Sequence, residues 1–294
     1  MNTTSVASPA HGRELVPALL SLVRFTHTVF ALPFAAAAAL LAADGLPEWA
    51  VLGWILLAMV GARTLAMALN RLIDARIDAA NPRTAGRELP SGRVSPGQVW
   101  ALSAVSLLAL LVAVSQLPRI TWVLWPIPVA LFVLYPLAKR VTWACHLVLG
   151  VTIGIAPLGA WIAVTGRLPL APILMGAAVA CWIGGFEILY ALLGIAFDRR
   201  HGMHSVPARF GEARALWFTR ILHLLAVAAL VGAGTAAGVS WPYYLGVGIC
   251  AVVLTVENSI VRPGETHRVQ VAFAHANAVL ALVYVAFVAL AVAL

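Results

Sequence analysis

Residues 61–84 read GARTLAMALNRLIDARIDAANPRT, and the fold class follows from how this stretch mixes apolar and charged side chains. Asn70, Asp74 and Asp78 recur at steps of four. Each such step advances an α-helix by roughly 40°, so the three side chains project from one face. The residues before them form a predominantly apolar run, longer than the ~20 residues needed to cross a bilayer. An ionised Asp at the centre of a membrane helix costs about 2.5–3.5 kcal/mol on insertion scales, so a polar stripe here is a functional candidate by default.

The rest of the chain has the same character. Of its 294 residues 62% are hydrophobic and 10% charged, with a mean hydropathy of +0.96. A soluble protein of this size has no interior large enough to hide so much apolar surface. Apolar segments fall at 15–42, 49–79, 97–116, 120–138, 142–164, 170–197, 213–237, 241–260 and 270–293. The pattern predicts an all-α polytopic membrane protein with nine transmembrane segments. The polar stretches 1–14, 79–98 and 198–214 are each too short to fold alone. Residues 1–14 read as a disordered cytoplasmic tail, and 15–294 as a single transmembrane domain. The first apolar segment lacks a small-residue cleavage pattern and reads as a permanent helix.

The net charge of +8 reflects topology, not nucleic-acid binding. With these spans, 16 Lys and Arg residues fall in the N-terminal flank, the even-numbered connections and their borders. Arg119 and Arg167 alone fall in the odd connections, and Arg63 lies inside a span. The positive-inside rule then predicts a cytoplasmic N-terminus and an external C-terminus, in the inner (cytoplasmic) membrane of a cell. Trp49, Trp122, Trp125, Trp161 and Trp241 lie near the predicted outer boundary and read as an aromatic belt. Cys145, Cys181 and Cys250 fall in apolar spans without C-x-x-C spacing, which predicts buried free thiols.

The charges inside or beside the spans carry the chemistry. Hard oxygen ligands on one face suit Mg²⁺, which commonly takes one or two carboxylates and completes its shell with water and phosphate. Arg83, Arg87 and Arg93 follow in a loop and suit bidentate contact with a diphosphate. The plainer alternative is a helix end emerging into the cytoplasm, with Asp74 paired locally to Arg71 or Asp78. In the sixth span Glu187 precedes Asp198 by eleven residues, about 20° from eclipse on a continuous helix. Glu187 is then deep and Asp198 near the mouth, with Arg199 beside it as a further substrate-binding cation. Tyr135-Pro-Leu-Ala-Lys139-Arg140 closes the fourth span, with Lys139 aimed at phosphate or snorkelling to lipid headgroups. Arg63, within the membrane, needs an anion or carbonyl partner. His27 reads as a cavity or core residue, and Phe34, Tyr190 and Trp182 as candidate cavity aromatics.

RFTHTVFALPFA (24–35), the 70–93 motif with its NPRT-x-x-R-x-L-P-x-G-R continuation, YPLAKR (135–140) and FDRRHGMHSVPARFG (197–211) together resemble the UbiA superfamily of intramembrane prenyltransferases. The likeness is greatest to its 4-hydroxybenzoate polyprenyltransferase-type branch, which includes the enzyme prenylating a dihydroxynaphthoate in the futalosine route to menaquinone. The resemblance implies nine transmembrane helices around a central cavity, with two Asp-rich motifs facing each other across two Mg²⁺ ions. It implies a polyprenyl diphosphate donor, whose tail runs into the lipid bilayer, and an aromatic-acid acceptor. The metal positions are then Asn70, Asp74, Asp78 and Asp198, and Tyr135 and Lys139 match a Tyr-x-x-x-Lys pattern. Arg63 matches a position approaching the aromatic carboxylate. Glu187 is placed to contact the acceptor hydroxyl or take its proton.

One departure stands out. The family's second motif reads Tyr-Ala-x-Gln-Asp-x-x-Phe-Asp, whereas this chain reads Tyr190-Ala-Leu-Leu-Gly194-Ile-Ala-Phe197-Asp198. Leu193 stands for the Gln, Gly194 for the first Asp, and Glu187 where Asp is usual. The alternative reading is therefore a catalytically impaired or non-catalytic relative. A secondary transporter fits less well, because the polar cluster lies at one membrane face and not at the midplane.

Overall fold

The computed structural model describes residues 10, 12–23, 32–262, 264 and 267–294; Arg24 and His27 lie outside them. No strand occurs among the described residues. Helices α1 (Leu15–Leu22) and α2 (Leu32–Ala43) occupy the first predicted segment. There follow α3 (Trp49–Ala80), α4 (Pro96–Ser115), α5 (Arg119–Leu124), α6 (Pro126–Ala138) and α7 (Cys145–Thr165). The chain continues through α8 (Leu170–Ala191), α9 (Ile195–Arg200), α10 (Val206–Phe210), α11 (Glu212–Ala237), α12 (Trp241–Ile260) and α13 (His267–Ala293). Among the described residues seven spans are long and apolar enough to cross a membrane, with α5–α6 and α8–α9 each counting as one. The first and ninth predicted segments correspond to the shorter apolar helices Leu32–Ala43 and Asn277–Ala293.

Local chemistry explains where helices begin and end. Ser95 caps α4 in a capping box with Gln98, and Pro96 occupies the first turn, where its missing N–H costs nothing. Gly166 and Gly238 end α7 and α11 in the left-handed conformation, at φ 66° and 68°. The predicted fourth and sixth spans are each broken. Trp125 separates α5 from α6, followed at once by Pro126, which has no N–H to offer the preceding turn. A 3₁₀ turn at Leu192–Gly194 separates α8 from α9.

The bundle is apolar outside as well as inside: Trp217, Leu224, Val105 and Val252 are each more than 60% exposed, as lipid-facing residues are. Helix contact therefore rests on close backbone approach more than on expulsion of water. On the α7–α8 seam a β-carbon added at Gly154 would lie 2.5 Å from the Gly176 carbonyl oxygen. One added at Gly176 would lie 2.6 Å from the Gly154 oxygen. On the other face of α8, the Trp182 Nε1–H donates to Asn277 Oδ1 at 2.8 Å. The Tyr243 hydroxyl donates to the Leu230 carbonyl at 2.8 Å and lies 3.1 Å from the Tyr284 hydroxyl. Phe34, stacked on Tyr284 and tilted against Trp182, belongs to this core and not to the cavity wall.

The aromatic belt is incomplete. Trp49, Trp122 and Trp241 are 80%, 47% and 67% exposed, but Trp161 is buried and Trp125 lines the cavity. Gly176→Val is expected to cost about 1–3 kcal/mol through overpacking of the α7–α8 seam. Gly248→Ala, where an added β-carbon meets nothing within 4 Å, should leave stability unchanged or raised. Thermal unfolding of the purified protein in detergent compares the two.

Candidate active site

The last three turns of α3 carry Asn70, Asp74 and Asp78, with Asp74 and Asp78 only 3% and 5% exposed. Both carboxylates are paired. Lys139 Nζ donates to Asp74 Oδ2 at 2.5 Å, and Asn70 Nδ2 reaches the same oxygen at 3.1 Å. Arg140 donates to Asp74 Oδ1 at 3.4 Å and to the Ile73 carbonyl at 2.6 Å. Arg87 donates to Asp78 Oδ2 at 2.7 Å, and buried Arg71 stands 3.9 Å from that oxygen. Arg71 also donates to the Leu22 carbonyl at 3.2 Å, tying α1 to this end of the bundle.

The loop after α3 folds back because its own polar groups cap the helix. The Thr84 hydroxyl donates to the Asp78 carbonyl at 2.9 Å, and the Arg83 N–H donates to Asn81 Oδ1 at 3.0 Å. This hook returns Arg87 to Asp78 and lays Arg83 over the Tyr190 ring, 4.9 Å from its centroid. Arg93 is held elsewhere, donating to Glu88 Oε1 at 2.9 Å with about half its side chain exposed. Arg199 is likewise directed away, its Nε donating to the Ala208 carbonyl at 3.1 Å.

A cavity of about 640 Å³ opens from this cluster into the bundle. Asn70, Arg71, Asp74, Arg87, Lys139, Glu187 and Tyr190 line its charged end, so α3 and α8 share one hollow. Arg63, Tyr135 and Phe186 line it farther in, and beyond them the wall is almost wholly apolar. The lining on α3 runs from Asp74 to Ile55, nineteen residues, or about 28 Å at 1.5 Å per residue. The Tyr135 hydroxyl donates to the Ala66 carbonyl at 3.3 Å. Arg63 Nε is buried without a hydrogen-bond partner among the described residues.

The expected alignment of Glu187 with Asp198 fails at the 3₁₀ turn. Three residues at 120° in place of 100° add roughly 60° to the helical phase. Glu187 lines the cavity, and Asp198 accepts from Ser205 Oγ at 2.8 Å. Lys139 and Arg83 are both within electrostatic reach of Asp198, and Arg83 also of Glu187. The His204 N–H donates to the Lys139 carbonyl at 2.7 Å, fastening the α9–α10 loop to the end of α6. Arg71 and Arg140 belong to the cluster although sequence reasoning did not select them as site residues. Arg71 lies three and seven residues from Asp74 and Asp78, a helical-neighbour signal that was available.

Five basic side chains (Arg71, Arg83, Arg87, Lys139, Arg140) therefore surround or adjoin four carboxylates. Such an excess suits a polyanion. No three His, Cys, Asp or Glu side chains among the described residues converge to hold a metal unaided. The donor set, carboxylate and amide oxygens beside a phosphate-competent basic cluster, fits Mg²⁺ that arrives with its phosphate ligand.

The sequence model of the UbiA prenyltransferase family matches residues 31–283. The 4-hydroxybenzoate octaprenyltransferase of Aliivibrio fischeri strain ES114 is 30% identical over 246 residues, covering 84% of this chain and 86% of that protein. The protein of the same name from Aeromonas salmonicida is 31% identical over 254 residues, covering 84% and 86%. The apo structure of a UbiA homolog from Aeropyrum pernix K1 superposes with a TM-score of 0.82 at 31% identity, covering 90% of this chain and 98% of that one. A UbiA homolog from Archaeoglobus fulgidus bound to GPP and Mg²⁺ shares the fold, with a TM-score of 0.68 at 14% identity, covering 94% and 100%. With a family match over most of its length and relatives at this identity, the chain belongs to the UbiA prenyltransferase family.

Proposed function

We propose that this protein transfers an isoprenyl chain from a polyprenyl diphosphate to an aromatic acid of the 4-hydroxybenzoate or dihydroxynaphthoate type, in quinone biosynthesis. The observation that carries this reading is one cavity with a charged end and a long apolar remainder. Its two chemistries match the two halves of an isoprenyl diphosphate. The names of the relatives at about 30% identity supply the aromatic acceptor. The Arg and Lys distribution supports an inner-membrane location with the charged end cytoplasmic.

Mg²⁺, held by Asn70, Asp74, Asp78 and Asp198, would supply Lewis-acid neutralisation of the departing diphosphate. Arg83, Arg87, Lys139 and Arg140 offset the same charge by donating hydrogen bonds to phosphate oxygens. As the allylic C–O bond breaks, the apolar wall keeps water from the electron-poor carbon. The ring carbon ortho to the acceptor hydroxyl forms the new C–C bond, and Glu187 accepts the proton that the ring loses. Arg63 faces the interior with an unpartnered Nε and orients the acceptor carboxylate.

Asp74→Ala and Asp78→Ala should each lower Mg²⁺-dependent diphosphate release by about 10²–10³-fold, as loss of charge stabilisation at a reacting centre does. Undiminished release in both variants, measured in membranes, removes the assignment. Arg63→Ala should raise KM for the aromatic acid about 10–100-fold, the worth of a charge-assisted hydrogen bond, while KM for the diphosphate changes little. Steady-state kinetics with each substrate varied in turn checks this.

Gly194 supports a second reading, an enzyme of weakened metal affinity or a non-catalytic relative. Its φ of −114° suits any residue, and an added β-carbon meets only the Asp198 oxygens, each at 4.0 Å. Gly194→Asp should therefore fold and lower the Mg²⁺ concentration giving half-maximal turnover. Absence of turnover in both forms establishes the non-catalytic reading.

A further inference from the structure

The positive-inside rule counts charges in loops, and Arg220 is not in one. It stands eight residues past Glu212, the first residue of α11, about 12 Å along the axis of a membrane-length helix. Arg214, Trp217 and Arg220 recur at steps of three, so Trp217 lies about 60° from each Arg. All three are exposed. Among the described residues lining the cavity none belongs to α11, so these side chains face outward from the bundle. Ile221, Leu224 and Leu225 continue the same face and are 50%, 70% and 49% exposed. Side chains on a helix lean towards its N-terminus, and Arg220 follows that lean back over Trp217. Its Cζ stands 5.9 Å from the centroid of the Trp217 rings. A guanidinium seated on an aromatic face keeps its N–H groups for other acceptors.

The cations at the cavity mouth face carboxylates, but these do not. Arg214 and Arg220 make no ion pair among the described residues. The nearest acid in the sequence, Glu212, accepts instead from the Gly264 N–H at 2.8 Å. The Trp217 Nε1–H likewise meets no acceptor among those residues.

We propose that this ridge of α11 binds the headgroup of an anionic diacyl phospholipid in the cytoplasmic leaflet. Arg214, Arg220 and the Trp217 N–H donate to its phosphate, and the acyl chains lie along Ile221, Leu224 and Leu225. A zwitterionic lipid would bring an ammonium group to a surface with no carboxylate to receive it. The diphosphate of the proposed donor fits less well, because nothing on the ridge holds an accompanying Mg²⁺. The inner face of the same turns is packed: Ala215 and Leu216 cluster with Leu192, Val206 and Val261. Thr219 Oγ1 donates to the Gly185 carbonyl at 3.1 Å. A bound headgroup therefore steadies α11 against the 3₁₀ turn and the α9–α10 segment without entering the cavity. Binding to the folded form alone raises its stability.

The test follows thermal unfolding of the full chain in detergent. Phosphatidylglycerol, phosphatidylcholine of the same acyl chains, glycerol 3-phosphate and geranyl diphosphate are each titrated in. Phosphatidylglycerol should stabilise wild type more than phosphatidylcholine does. Arg214→Gln and Arg220→Gln should each lower the apparent affinity for phosphatidylglycerol about fivefold, as loss of one basic side chain at an anionic surface does. Arg76→Gln removes an exposed charge from α3 and should leave that affinity unchanged. Native mass spectrometry counts the lipids retained by each variant, so one too unstable to melt cleanly is still read. An equal loss in Arg76→Gln means attraction to overall charge and overturns the site. Equal stabilisation of wild type by the two phospholipids also overturns it. So does an equal effect of glycerol 3-phosphate, which marks a free-phosphate site. Loss of the geranyl diphosphate effect in the α11 variants marks a donor site and overturns the assignment to phospholipid.

Discussion

The ion pair between Lys139 and Asp74 is the contact on which the site depends. It joins α6 to α3 across the cavity mouth, and both partners line that cavity. Carboxylates at 3% and 5% exposure are tolerable only when paired, since leaving one buried charge uncompensated costs about 3–5 kcal/mol. Asp74 is accordingly held by Asn70, Lys139 and Arg140, and Asp78 by Arg87. These cations are the groups a diphosphate would claim. In the proposed reaction, arrival of metal and diphosphate together would exchange one set of opposite-charge contacts for another, without exposing a lone charge to the bilayer interior.

What could be read in the sequence was local and periodic. Asn70, Asp74 and Asp78 share a face because one unbroken helix spans them, and regular geometry carried the reasoning through. The same logic applied to Glu187 and Asp198 did not hold, because a 3₁₀ turn at Leu192–Gly194 resets the phase between them. Gly194 was visible as a departure in composition, but its effect on helix geometry was not. Arg93 and Arg199 were grouped with the phosphate ligands by proximity along the chain. Their directions are decided by Glu88 and by the Ala208 carbonyl, and nothing in the spacing announces those partners.

Aromatic residues show a similar division. Trp49 and Trp241 sit at helix starts, where an interfacial position follows from sequence alone. Trp161 and Trp125 lie at comparable depth, yet one is buried in the bundle and the other forms part of the cavity wall. Which side of a helix meets lipid, protein or cavity is set by neighbours distant in sequence. An outward surface as apolar as the interior removes the periodic signal that would reveal it in water. Phe34 and Trp182 were candidates for the cavity and instead pack in the core, Phe34 stacked on Tyr284, for the same reason.

The pairing of Asp74 with Lys139 also orders events during synthesis. The two residues are 65 positions apart, so α3 leaves the ribosome well before its principal counter-charge. Until α6 follows, Asp74 has only Asn70 of the three side chains that hold it in the finished fold. A carboxylate left with a single amide partner in the bilayer is costly, so the arrival of Lys139 and Arg140 completes the site. Assembly of the helix hairpins, more than insertion of any one of them, commits this protein to its membrane.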